Sequence, residues 1–268
     1  MTATIAGAPA EIPRRPGHAW TMVERNLMIY RHTWPVLLAE ILEPLLYLLA
    51  FGVGIGTLVG EVPWLRDTAI TYPQFVAPAL LATAAMNGAM NETTFNMYGK
   101  LTTDKTYESI LTTPMSVRSV ALGEVCWALI RGTLVTTAFL VVVSALGLAR
   151  LPAALLVVPS ALLIGFAFAS AGLLTVTFLR DWQDFQLIQL VMLPMFLFAT
   201  TFFPLEVYPP FVQVLVRALP LYHGIEIVRA SFLGTGGAHL ATAVVYLAVF
   251  GAVTLAVAVR RLERTLRT

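Results

Sequence analysis

The chain has 268 residues, 58% of them hydrophobic and only 12% charged, with a mean hydropathy of +0.79. A soluble domain carries about 25% charged residues, and so short a chain cannot hide this much apolar surface from water, so an ordinary soluble fold is excluded and lipid is the expected solvent. The net charge of +2 identifies no partner and points to no nucleic acid, and the lone Cys126 rules out an intrachain disulfide.

Taken in chain order, residues 1–15 read as a cytoplasmic tail, because the basic pair Arg14–Arg15 is followed by no apolar core of the kind a cleavable signal needs. Residues 16–33 mix Trp20, Met22, Leu27, Met28 and Tyr30 with Arg25 and Arg31, the pattern of an amphipathic helix lying on the membrane surface. Six stretches then approach or exceed the ~20 apolar helical residues that cross a bilayer: 34–59, 72–98, 118–147, 152–178, 186–203 and 238–259. The connections are short outside at 60–71, tight around Ala149–Leu151, and longer and polar inside at 99–117. The connection 204–237 holds two semi-apolar pieces, 209–219 and 222–232, separated by Pro220. Each is too short to span and too apolar for a free loop, which predicts two short helices dipping back into the outer leaflet on protein. The expected fold is therefore an all-α polytopic membrane protein: six transmembrane helices, an N-terminal interfacial helix, and two short re-entrant helices between spans five and six. Twelve basic residues fall on the side that holds both termini and four on the other, with Arg131 inside a span. That bias places both termini in the cytoplasm.

Ionisable groups inside spans are costly and face protein or water. Glu40 and Glu43 fall in the first predicted span, Asn87, Asn91 and Glu92 in the second, and Glu124 and Arg131 in the third. At about 1.5 Å per residue the carboxylates sit at similar depths, so they either glue three helices together or form a polar seam for a cargo head group, Arg131 pairing with a carboxylate of another span. A strip of Gly165, Ala169, Ser170 and Gly172 allows close helix approach. The sequence contains no G-x-x-x-x-G-K-[ST] loop, no H-E-x-x-H and no G-x-S-x-G. The histidines are scattered, so no catalytic, cofactor or metal residues are assigned. Asp181 and Asp184 read as polarity and capping at a cytoplasmic turn.

Several strings have a recognisable character: EPLLYLLAFGVGIG (43–56), YPQFVAPALLATAAMNGAMNETTF (72–95), KTYESILTTPMSVRSVALGEVCWA (105–128), PMFLFATTFFPLEVYPP (194–210) and PLYHGIEIVR (220–229). In this order the chain resembles type-2 ABC (ATP-binding cassette) exporter permeases, within them the nodulation-type lipo-oligosaccharide and antibiotic-resistance group. The resemblance implies one permease domain over 16–268, seated in a bacterial inner membrane. It implies a second permease copy, identical or homologous, and two separate ATPase subunits that bind ATP and Mg. It implies no enzyme site in this chain, and outward transport of an amphipathic lipid, glycolipid, oligosaccharide or drug-like cargo. Within 99–117, Thr106, Tyr107, Glu108, Ile110, Leu111 and Pro114 match the helix that docks on the ATPase. Met86, Met90, Met195, Phe196, Phe198, Phe202 and Phe203 are candidates for the substrate path, and Pro204, Pro220, His223, Glu226 and Arg229 for an outer gate. An ATP-independent secondary transporter or channel is the alternative; an intramembrane enzyme is a third reading, disfavoured by the missing motifs.

Overall fold

The computed structural model describes residues 19–30, 34–55, 70–113, 115–149, 151–233 and 239–265. The expected tail 1–15, most of the outer loop, Pro114 and residues 234–237 lie outside them. Ten α-helices and no strand occur among the described residues: α1 Ala19–Tyr30, α2 Trp34–Tyr47, α3 Tyr72–Asn91, α4 Thr106–Leu111, α5 Val117–Ala145, α6 Leu151–Val176, α7 Phe185–Phe198, α8 Pro210–Ala218, α9 Pro220–Leu233 and α10 His239–Thr265.

Local chemistry sets several of these boundaries. Pro44 removes an N–H from the α2 ladder, and the coil widens to i→i+5 geometry over Leu48–Ile55. α3 starts where Gln74 accepts hydrogen bonds from both the N–H and the hydroxyl of Thr71; beyond Asn91 the chain stays helical but widened through Glu92–Asn96 and Gly99–Thr103. Ser116 caps α5 by accepting the Ser119 N–H at 3.1 Å. The far end of α5 closes with Gly147 at φ +73° and Leu148 N–H reaching Val143 C=O, the glycine-terminated turn that satisfies the last carbonyls.

α6 is the hub, packed on α3, α5, α9 and α10. α3 is enclosed on nearly all sides: Val76, Ala77, Ala79, Leu81, Ala82 and Ala89 are fully buried. Among the described residues four helices are long and apolar enough to cross a membrane by themselves, Pro35–Gly52, Val117–Ala145, Leu156–Val176 and Leu240–Arg264, and α8 with α9 makes a fifth if that pair, bent by 85°, is one span. Six spans were expected, and the two that fall short do so for physical reasons. α3 meets protein rather than lipid, so it carries Asn87 and Asn91 in place of a continuous apolar surface. α7 has 14 residues, about 21 Å of helix, before the chain turns at Ala199–Phe203. Of the expected 16–33, the described residues form α1, whose Met22, Val23 and Asn26 are buried while Trp20, Leu27 and Met28 are exposed.

Candidate functional site

Two features stand side by side in the bundle, a buried charge network and an open cleft. In the network Arg131 of α5 is buried and pairs through Nη1 with Glu92 and through Nη2 with Glu40 of α2. Lys100 Nζ lies 2.8 Å from Glu124 Oε2 and 3.5 Å from Glu92 Oε1. The widened coil after α3 thus supplies both a carboxylate, Glu92, and the cation Lys100 eight residues later. Hydroxyl and amide groups complete the shell. Tyr30 donates to Glu92 at 2.7 Å and accepts from Arg131 at 2.8 Å; Asn96 donates to Glu92 at 2.8 Å; Asn26 donates to Glu124 at 3.1 Å; Tyr107 donates to the other Glu124 oxygen at 2.9 Å. Burial, reinforced by the Glu124 charge, pushes the Tyr107 phenol well above its usual range, and burial with the Glu92 charge does the same for Tyr30. Both phenols therefore remain donors. Three carboxylates face two cations here, a combination that only dense charge-assisted bonding makes tolerable away from water.

Of the polar residues expected to form one seam, Glu40, Glu92, Glu124 and Arg131 meet in this network. Glu43, Asn87 and Asn91 instead line the cleft, where Glu40 joins them. The cleft, about 150 Å³, lies between α2, α3 and α7. Gln189 adds a further amide, and Tyr47, Met192, Leu193 and Phe196 supply its apolar wall. The sequence pattern assigned no site role to Asn26, Lys100, Gln189, Tyr30 or Trp127, whose ring packs 5.1 Å from that of Tyr30. A weak signal existed: Asn26 and Tyr30 are four apart on one face of α1, and Lys100 follows Glu92 by about two turns.

The remaining candidates scatter. Met86 is buried in the α3 core, Phe196 lines the cleft, and Met90 and Met195 lie on a second, apolar groove. Phe202 packs on Phe51 and Phe196 at 4.7 and 5.4 Å; Phe198 and Phe203 are exposed. In α4, Tyr107 points inward, Glu108 is exposed, Thr106, Ile110 and Leu111 are half-buried, and Lys105 before it holds a left-handed φ of 47°. Around the α8–α9 bend, His223 Nε2 lies 2.9 Å from Arg217 C=O and Tyr246 donates to Ala218 C=O at 2.7 Å, engaging carbonyls that the end of α8 leaves without helical partners. Arg229 reaches Glu226 at 3.2 Å and Thr200 C=O at 2.8 Å and lies 4.1 Å over the Phe75 ring, tying α9 to α3 and to the turn after α7. Pro204 is half-buried next to that turn.

Comparison with known proteins places the chain in context. The family profile described as "ABC-2 type transporter" matches residues 18–233. The chain is 30% identical over 259 residues to Nodulation protein J of Sinorhizobium fredii (strain NBRC 101917 / NGR234), covering 96% of this chain and 97% of that protein. It is 33% identical over 199 residues to Nodulation protein J of Rhizobium leguminosarum bv. trifolii, covering 74% of each. It is 26% identical over 233 residues to the Inner membrane transport permease YadH of Escherichia coli (strain K12), covering 85% of this chain and 86% of that one.

Proposed function

The chain belongs to the ABC-2 type transporter family and is the membrane subunit of an ABC exporter whose ATPase is a separate subunit, and on that premise we propose that it moves an amphipathic lipid, glycolipid, oligosaccharide or drug-like molecule outward through the cleft between α2, α3 and α7. The observation carrying this reading is the mixed lining of that cleft. Glu40, Glu43, Asn87, Asn91 and Gln189 offer charge and amide groups to a head, and Tyr47, Leu193 and Phe196, one or two turns further along α2 and α7, offer apolar surface. Such a lining discriminates against a purely polar or purely apolar solute.

In this reading α3, with its widened extension, and α7, continued through the turn after it, complete six spans in an inner membrane with both termini in the cytoplasm, and α8 with α9 forms the outer re-entrant gate. Two copies of the chain, identical or homologous, rest on two ATPase subunits. The segment Thr106–Leu111, with Glu108 exposed, docks on the ATPase. Tyr107 faces the other way, onto Glu124, so motion of α4 reaches α1, α2, α3 and α5 through the charge network. ATP binding by the partner shifts the equilibrium between two shapes of the bundle because it binds them unequally.

Reconstitution with the ATPase in vesicles tests this. ATP hydrolysis is expected to rise with amphipathic cargo, and Asn87→Leu with Gln189→Leu to abolish that rise while basal hydrolysis persists. Full-speed flux from vesicles lacking any ATPase would overturn the assignment.

A further inference from the structure

On the flank of α7 opposite the cleft lies a second cavity, an apolar groove of about 700 Å³ walled by α6, α7 and Phe250 of α10. Its volume falls within the ~300–1,000 Å³ usual for ligand sites. Its walls are almost wholly carbon, among them Phe168, Phe178, Leu187 and Val191. Polar groups concentrate at one end, where Arg180 and Asp184 line the mouth.

The groove has the reach of one leaflet. Ser160 of α6 lies against Ser231, and Ile164 packs where a Cβ on Gly224 would stand, so α9 runs antiparallel to α6 with its start one turn further along. Leu219 and Pro220 therefore close the groove at the level of Phe168. From Phe168 to the end of α6 at Val176 is about 12 Å of helix, and the turn beyond it carries the chain on to Phe178, so the groove approaches half of a ~30 Å hydrocarbon core. At the mouth, Trp182 packs with Phe95, Tyr98 and Phe185 as interfacial aromatics do, and the Arg261 guanidinium lies 3.7 Å from the centre of the Phe178 ring. Arg180 is exposed. Asp184 receives the N–H groups of Arg180 and Asp181 through Oδ2, at 2.8 and 3.3 Å, so Oδ1 takes no part in those bonds. Asp181 is exposed at the same rim.

A cation and a carboxylate four residues apart, above an apolar slot one leaflet deep, match a zwitterion carrying a tail. We propose that the groove holds one aminophospholipid: its acyl chain between α6 and α7, its phosphate on the Arg180 guanidinium, its ammonium on Asp184. This lipid is a resident ligand rather than cargo, since α7 separates it from the cleft. Met192 lines both cavities, so the lipid braces the wall against which cargo binds.

The test takes the full chain with its ATPase into symmetric nanodiscs of equimolar phosphatidylcholine, phosphatidylethanolamine and phosphatidylglycerol, which makes the result independent of membrane orientation. Retained lipid is counted by native mass spectrometry after detergent transfer. Phosphatidylethanolamine is expected to outlast both others about tenfold, the effect of one charge-assisted bond. Arg180→Gln should lower retention of every phospholipid. Asp184→Asn, which still offers the backbone an acceptor, should keep lipid but erase the preference for the ethanolamine head. Thr175→Trp should fill the groove and expel lipid; intact ATPase co-purification confirms that each variant folds. Equal retention of the three lipids, a preference for phosphatidylglycerol, unchanged retention in Thr175→Trp, or cross-linking of Leu187→Cys to a second copy in place of bound lipid would each overturn the proposal.

Discussion

Arg131 shows how one residue can hold several elements in place. A guanidinium presents a planar fork of donors, and here each arm serves a different carboxylate, Glu92 and Glu40. Arg131→Ala would leave those carboxylates facing each other, and breaking a buried pair by removing one partner costs about 3–5 kcal/mol. We expect a marked fall in thermal midpoint in detergent, read by scanning fluorimetry, with Arg131→Lys falling less because it restores the charge without the fork. Tyr107 and Glu108 adjoin in sequence yet face opposite ways, one buried on Glu124 and one exposed. Glu108→Arg should accordingly leave the thermal midpoint unchanged and uncouple ATP hydrolysis from transport in the reconstituted complex. Normal transport by that variant would remove α4 as the docking segment.

Between elements, spacing matters more than composition. A Cβ on Gly123 of α5 would stand 2.5 Å from Met22 Cβ and 2.9 Å from Ala19 C=O of α1, so α1 lies as close to α5 as a glycine permits. Gly123→Val should lift α1 and with it Asn26 and Tyr30; spin labels at Leu27 and Arg118 should then report a longer distance by double electron–electron resonance. A Cβ on Gly172, in the small-residue strip of α6, would stand closer still to the Thr93 hydroxyl. The turn between α6 and α7 has a pH dependence of definite sign. Backbone N–H groups of Arg180 and Asp181 hold the Asp184 carboxyl below its usual value. Its contribution is thus complete above the ordinary carboxylate pKa of about 3.9 and is lost as pH falls through the depressed folded value. Amide exchange at Arg180 and Asp181 should stay protected from neutral pH down to the ordinary carboxylate range and rise only below it; protection lost already near neutrality would contradict this.

For the whole molecule, the distribution of basic residues predicts which side each loop occupies. A membrane-impermeant maleimide added to intact cells of a Cys126→Ser background should label Glu206→Cys and leave Asp104→Cys unlabelled until lysis. The reverse pattern would invert the orientation and place α8 and α9 on the ATPase side.

Much of this architecture was legible in the chain because lipid imposes a strong rule: backbone groups must be satisfied within a helix, and side chains facing hydrocarbon must be apolar. Long apolar runs such as Val117–Ala145 and Leu240–Arg264, the Pro220 break between α8 and α9, and the polar segment carrying α4 follow from that rule, whereas the separate ATPase was legible only through the family resemblance. The rule loses force where helices face each other. α3 departs from the hydropathic pattern because its surroundings are protein and cleft, which no one-dimensional average reports, whereas α7 is strongly apolar but, at 14 residues, too short to span by itself. Tertiary packing alone decided that Glu92, Glu124 and Arg131 are joined by Tyr30, Asn26, Lys100 and Tyr107, whereas Asn87 and Asn91 turn to the cleft. The physical reason is that a charge's partner lies wherever another helix brings it, as far as 101 positions away for Tyr30 and Arg131, and periodicity within one helix carries no record of that distance.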